Sequence, residues 1–190
     1  MTTELRKTNV TLNKVLSILL ILLCTVSGRL KAKATTQIVV DARGRSVQIH
    51  CPIRRLVSLN EDSLEVIRIL HAQNLVVGVD NRIPGRPFFW PVLKNRPTVG
   101  KWNEPSYERI AILHPDLVLS YGNRPGLELE KKLGPLGIQV LRLDFYKMLS
   151  MPREIKTLGM LLNREREAEI FLKWYHRKFC LLYTSPSPRD

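Results

Sequence analysis

Apolar and polar positions change period along the chain, most clearly between Val99 and Tyr121 (VGKWNEPSYERIAILHPDLVLSY). Tyr107, Ile110, Ala111 and His114 fall at i, i+3, i+4 and i+7, a mostly apolar stripe on one face of a helix. Pro105 suits the start of that helix, because its missing N–H is not needed there and its φ is preset. His114-Pro115-Asp116 ends it, since a residue before proline is pushed out of the α region. Leu117, Val118 and Leu119 then form an unbroken apolar run, the pattern of a strand covered on both faces as in parallel sheets.

The same reading extends to both sides. Ile38–Asp41 and Ser46–Ile49 flank Ala42-Arg43-Gly44-Arg45, a hairpin in which glycine supplies the positive φ of a tight turn. Pro52 breaks the second strand, and Arg55–Leu59 predicts the next. Asp62 or Ser63 can cap a helix running to about Leu70. Leu75–Val79 reads as a further buried strand. Pro84, Pro87, Pro91 and Pro97 make Asp80–Pro97 mostly loop, around an aromatic cluster of Phe88, Phe89 and Trp90. Beyond Tyr121, Gly122–Gly126 is a loop, Leu127–Leu133 a helix, Gly134–Gly137 a turn and Gln139–Leu143 a strand. Pro152 starts a helix with Ile155, Leu158, Gly159 and Leu162 on one face. Arg164–Phe179 forms another, with Ala168, Phe171, Leu172, Tyr175 and Phe179 aligned. Strands alternating with helices at this spacing predict βαβ units, hence an α/β fold with a mostly parallel sheet.

Both ends differ from this pattern. Arg6, Lys7 and Lys14 precede an apolar run from Val15 to Val26 that is too short for the roughly 20 residues of a membrane span. A basic segment before a short apolar one is a secretory signal, here residues 1–34. Ala32-Lys33-Ala34 and Val26-Ser27-Gly28 both offer small-residue cleavage sites. Cys24 raises lipidation, although Leu23 is larger than the residue a lipidation motif places before its cysteine. At the other end, residues 180–190 (CLLYTSPSPRD) resemble a sequencing-library adapter translated in frame; the other reading is a disordered tail.

The formal charge is +13, of which residues 1–34 carry +5, residues 180–190 none and the remainder +8. The basic side chains are dispersed, which aids solubility and attracts anions. Nucleic-acid binding would want a basic stripe or a motif, and neither is present. Cys51 is the only cysteine between the two ends, so no disulfide is expected within residues 35–179. His50, His71, His114 and His176 fall on separate elements without a His-x-x-x-His spacing, so no metal site is expected. Gly134-Pro135-Leu136-Gly137 precedes a strand rather than a helix and is not a phosphate cradle.

Trp102, then Glu108 and Ile110, then Pro115-Asp116-Leu117-Val118, follow one another in an order that resembles the N-terminal lobe of the periplasmic binding proteins serving iron–siderophore, haem and cobalamin ABC importers. Asp41-Ala42-Arg43-Gly44-Arg45 is similar to the hairpin with which that family opens. The resemblance runs from about Ile38 to Phe179. It implies a Rossmann-like lobe over 35–150, helices over 151–179 that include the rigid rod between two lobes, and a second α/β lobe that is missing here. It implies no catalytic residues and no cofactor beyond the bound ligand, an iron chelate, haem or corrinoid. The partners implied are an ABC permease and its ATPase. The full-length protein is expected to be an exported monomer in the periplasm or at the outer face of the cytoplasmic membrane, with lipid or signal anchoring left open.

Open parallel sheets bind ligands beyond the carboxyl ends of their strands. Those ends are Ser58–Asn60, Asp80–Arg82, Lys101–Glu104, Tyr121–Arg124 and Asp144–Lys147. Candidate ligand-binding residues are therefore Trp102, Asn60, Arg82, Tyr121, Arg124 and Tyr146, with Lys147 a further cation. Trp102 leads, because its counterpart in cobalamin-binding relatives lies in the cleft and a rigid ring gives wide contact at low entropy cost. Arginine can pair a carboxylate through two hydrogen bonds. Glu108, by resemblance, forms a salt bridge with the permease; its other reading is a first-turn glutamate favoured by the helix dipole. The alternative function is an exported α/β enzyme, which would need acid, base or nucleophile groups clustered at the strand ends.

Overall fold

The computed structural model describes residues 34–88 and 90–184. The expected export signal up to Lys33, Phe89 and the tail from residue 185 lie outside them. Among the described residues no helix is long and apolar enough to cross a membrane.

Strands β1 (Thr35–Val40) and β2 (Ser46–Cys51) form the expected antiparallel hairpin. Gly44 takes φ 76° in its turn. Asp41 Oδ1 accepts the Arg43 and Arg45 amides at 2.9 Å each and closes the turn from inside.

The rest alternates strand and helix. In chain order come β3 (Leu56–Ser58), α1 (Glu61–Ile69), β4 (Val76–Val79), β5 (Gly100–Lys101), β6 (Glu104–Pro105), α2 (Tyr107–Ile112), β7 (Leu117–Ser120), α3 (Glu128–Leu133), β8 (Gln139–Arg142), α4 (Met151–Leu161) and α5 (Glu165–Thr184). β4, β3, β7 and β8 make one sheet in that order, all neighbours parallel. Period-two alternation divides the buried strand residues between two cores. Leu56, Leu117, Leu119 and Leu141 pack with Leu64 and Ile67 of α1, Ile155 and Leu158 of α4 and Ala168 of α5. Val57, Val118 and Val140 pack with Ile110 of α2 and Leu129 and Leu133 of α3. Each such side chain contributes about 1.5–3 kcal/mol when fully buried, so helices on both faces follow from strands apolar on both faces.

Four local expectations change. Asn60, rather than Asp62 or Ser63, caps α1, and its side chain accepts the Ser63 amide. Pro105 lies in β6 instead of starting α2; Ser106 is the cap, its Oγ accepting the Arg109 amide at 3.3 Å. The aromatic cluster separates, with Trp90 5% exposed in the core and Phe88 89% exposed. α5 continues through Cys180 to Thr184, past the expected end at Phe179. Its aligned aromatics are half-buried or exposed, with ring centroids 5.5 Å apart for Phe171 and Trp174 and 5.9 Å for Tyr175 and Phe179.

Candidate functional site

Beyond the carboxyl ends of β4, β7 and β8 lies a cavity of about 380 Å³ lined by Arg82, Trp102, Tyr121, Asn123, Arg124, Asp144 and Tyr146. The strand order brings most of these together: Arg82 follows β4, Tyr121, Asn123 and Arg124 follow β7, Asp144 and Tyr146 follow β8, and parallel strands end on one edge. Trp102 comes from the turn between β5 and β6, a hairpin of two-residue strands. Its ring meets Tyr121 edge-on, with centroids 5.6 Å apart, and Tyr121 lies 6.4 Å from Tyr146 at 50°. These are the spacings and tilts aromatic pairs favour. Lys147 Nζ sits 5.6 Å from the centre of the Tyr146 ring, within cation–π range.

The charges around this arc are largely matched. The Tyr121 hydroxyl donates to Asp62 Oδ2 at 3.0 Å. Burial, and then the negative charge of Asp62 with its hydrogen bond, push the Tyr121 phenol above its ordinary range, so it stays neutral. Arg82 Nε donates to Asp80 Oδ1 at 2.8 Å, and its terminal nitrogen lies 3.2 Å from Glu61 Oε1. Burial alone would lower the Arg82 pKa, but its hydrogen bond to Asp80 and the charges of Asp80 and Glu61 raise it. Lys147 Nζ lies 2.7 Å from Asp144 Oδ2, and that hydrogen bond and charge raise the lysine. Asp144 Oδ1 accepts the Gly122 amide at 2.8 Å. A Cβ on Gly122 would stand 3.1 and 3.2 Å from the Asp144 oxygens and 3.3 Å from the Ala42 Cβ, so a side chain here would be crowded. Arg124 is exposed and has no ion-pair partner among the described residues.

A family model described as periplasmic binding protein matches residues 56–179. The chain belongs to the periplasmic binding proteins. No curated protein matches it. Among solved structures it is similar to a periplasmic solute-binding protein from Veillonella parvula, with TM-score 0.67 and 21% identity over 79% of this chain and 48% of that one. It is similar to the molybdate-binding protein MolA of Haemophilus influenzae, with TM-score 0.66 and 20% identity over 76% of this chain and 52% of that one. Staphylococcus aureus SirA, solved with staphyloferrin B, gives TM-score 0.59 and 25% identity over 75% of this chain and 48% of SirA. The chain thus spans about half the length of these structures. The matched family is one of binding proteins.

Of the candidates named from sequence, Trp102, Arg82, Tyr121, Arg124 and Tyr146 of this periplasmic binding protein meet at the cavity. Asn60 does not. It is 0% exposed, its Oδ1 accepts the Ser63 amide at 3.1 Å and its Nδ2 donates to the Leu143 carbonyl at 2.7 Å. Glu108 lies outside the cavity on an exposed turn of α2, where Oε2 accepts the Ser106 hydroxyl at 3.0 Å. Its own amide and then Ser106 hold the carboxyl below its ordinary range. Asn123 and Asp144 line the cavity without having been singled out, although both fall within the strand-end segments where ligands bind.

Proposed function

We propose that this chain is the N-terminal, ligand-facing lobe of an exported solute-binding protein that captures an iron chelate, haem or a corrinoid and delivers it to an ABC permease driven by its ATPase. The observation that carries this reading is the arc of Trp102, Tyr121 and Tyr146 beside an arginine without a carboxylate partner. Three rings offer broad apolar faces to a large ring-rich or chelate ligand, and Arg124 offers a forked donor to a carboxylate on it. The carboxylates nearby argue against the alternative of an exported enzyme. Asp62 accepts from Tyr121, Asp144 from Gly122 and Lys147, and Asp80 and Glu61 face Arg82, so each is already engaged by a neighbouring group. Glu108, exposed and away from the cavity, suits a contact with the permease.

Calorimetric titration of the full-length protein with hemin, ferric citrate and cyanocobalamin tests this. Saturable binding of one of them is expected, weakened by about 1–3 kcal/mol, or roughly 5- to 150-fold, in Trp102→Ala. Absence of saturable binding for all three, or an unchanged affinity in Trp102→Ala, refutes it.

A further inference from the structure

Arg142 ends β8 and is the largest fully buried side chain of the described residues, at 0% exposure. A guanidinium out of water is costly unless its N–H groups find acceptors. All five do. Nε donates to Glu130 Oε1 and one terminal nitrogen to Glu130 Oε2, each at 2.7 Å. That same nitrogen also reaches the Gly126 carbonyl at 3.1 Å. The other donates to the carbonyls of Tyr121 at 3.0 Å and Pro125 at 2.8 Å, with Gly122 at 3.5 Å. The segment from Tyr121 to Gly126 is therefore folded around one side chain. It presents Tyr121, Asn123 and Arg124 to the cavity, which Arg142 itself does not line.

The fork is held from behind. Glu130 also accepts from Arg45 at 3.1 Å, and Arg45 lies 2.7 Å from Asp41 in the turn of the β1–β2 hairpin. The Ala42 amide donates to the Arg142 carbonyl at 2.8 Å. Burial alone would raise the Glu130 carboxyl, but the hydrogen bonds from Arg142 and Arg45 hold it below its ordinary range.

We infer that Arg142 is a positioning residue for ligand binding: it sets the cleft wall from Tyr121 to Gly126, braced by Glu130 and the hairpin. The link to ligand rests on the reading of the cavity given above. Stability does not by itself account for an arginine here, because a buried ion pair can often be exchanged for apolar side chains at little or no loss. What the apolar pair cannot supply is a planar set of donors for three or four loop carbonyls. Lysine, with three donors on one atom, cannot supply it either.

The test compares wild type, Arg142→Lys, Arg142→Met and the double variant Glu130→Leu/Arg142→Met in the full-length protein. Melting temperature reports global stability. Amide hydrogen exchange over residues 121–126, taken relative to Leu117–Ser120 of β7, reports the loop apart from that stability. Titration with hemin, ferric citrate and cyanocobalamin reports the cleft. The double variant is expected to regain most of the melting temperature lost in Arg142→Met. Its relative loop exchange should stay at least about tenfold faster than wild type, and the bound probe about tenfold or more weaker. Arg142→Lys, which keeps the charge opposite Glu130, should show the same loosened loop and weakened probe, and it decides the matter if Arg142→Met does not fold. Wild-type loop exchange and affinity in either the double variant or Arg142→Lys would overturn the inference. If no probe binds the wild type, the ligand reading falls, while the exchange ratio still decides whether Arg142 holds the loop.

Discussion

Asn60→Ala separates a structural asparagine from a ligand-binding one. Two hydrogen bonds are removed. The first is the cap of α1, where Oδ1 accepts the Ser63 amide at 3.1 Å; loss of such a cap costs about 0.5–2 kcal/mol. The second ties the start of α1 to the residue after β8, where Nδ2 donates to the Leu143 carbonyl at 2.7 Å. Leaving that buried carbonyl without its donor costs about 1–3 kcal/mol. Together the loss comes to about 1.5–5 kcal/mol, which for a domain of this size lowers the melting temperature by about 3–20 °C. Calorimetric melting of wild type and Asn60→Ala reads this directly. Because the side chain is sealed from the cavity, ligand affinity at 25 °C, where both proteins are folded, should change by less than about twofold. A melting shift below about 2 °C together with a clear loss of affinity would refute the structural role and return Asn60 to the ligand.

Tyr121→Phe deletes the hydroxyl that meets Asp62 and should cost about 0.5–1.5 kcal/mol at neutral pH. Since the folded phenol holds its proton above the ordinary value of about 10, the native state keeps a proton the unfolded chain releases, so wild-type stability should fall as pH rises through that value. The phenylalanine variant should lack this component, and equal slopes of stability against pH above about 10 would count against it. Gly122→Ala should destabilise by about 1–3 kcal/mol in urea unfolding, because the added Cβ lands against the Asp144 carboxylate; an unchanged midpoint would mean that the loop yields freely. Glu108→Ala should leave ligand affinity within about twofold while lowering ligand-dependent transport in vesicles carrying the partner permease. A loss of affinity in Glu108→Ala equal to that in Trp102→Ala would place Glu108 in the cleft.

Much of the fold was legible because its strands are apolar on both faces. Leu117, Val118 and Leu119 can sit only inside a covered sheet, and the residues following such strands must gather at one edge. That topological rule pointed to Arg82, Tyr121, Arg124 and Tyr146 without any knowledge of side-chain partners, while Trp102 stood out through the family resemblance as well. It misplaced Asn60 because a second rule competes at the same position. A residue between a strand and a helix is both at the cleft edge and at the helix cap, and asparagine is among the best caps. The acidic first turn, Glu61 and Asp62, and the buried Ser63 amide decide for the cap. The β5–β6 hairpin escaped notice for a different reason: two-residue strands carry no periodicity. Adjacent aromatics proved a poor guide as well, since Phe88 and Trp90 occupy opposite environments.

Arg142 was not readable at all, and the cause is instructive about how the cleft is made. Its partner Glu130 lies on the preceding helix, and the carbonyls it serves lie in the loop before that helix, pairings that no local pattern encodes. The same holds for Glu154, 2% exposed on α4, whose Oε2 accepts the Phe145 amide at 2.6 Å and ties down the segment that carries Tyr146. Asp144 does so for Gly122 and Asn60 for Leu143. The loops at the carboxyl edge are thus fixed by buried polar side chains that spend their hydrogen-bonding groups on backbone, as buried polar groups must. A strand-end polar residue can serve the loop or the ligand, and the accounting of its donors and acceptors tells which. By that criterion Asn60, Arg142, Asp144 and Glu154 serve the loops. Asn123 and Arg124 line the cavity with side chains that no hydrogen bond or ion pair of the described residues engages, so their polar groups remain open beside the rings of Trp102, Tyr121 and Tyr146.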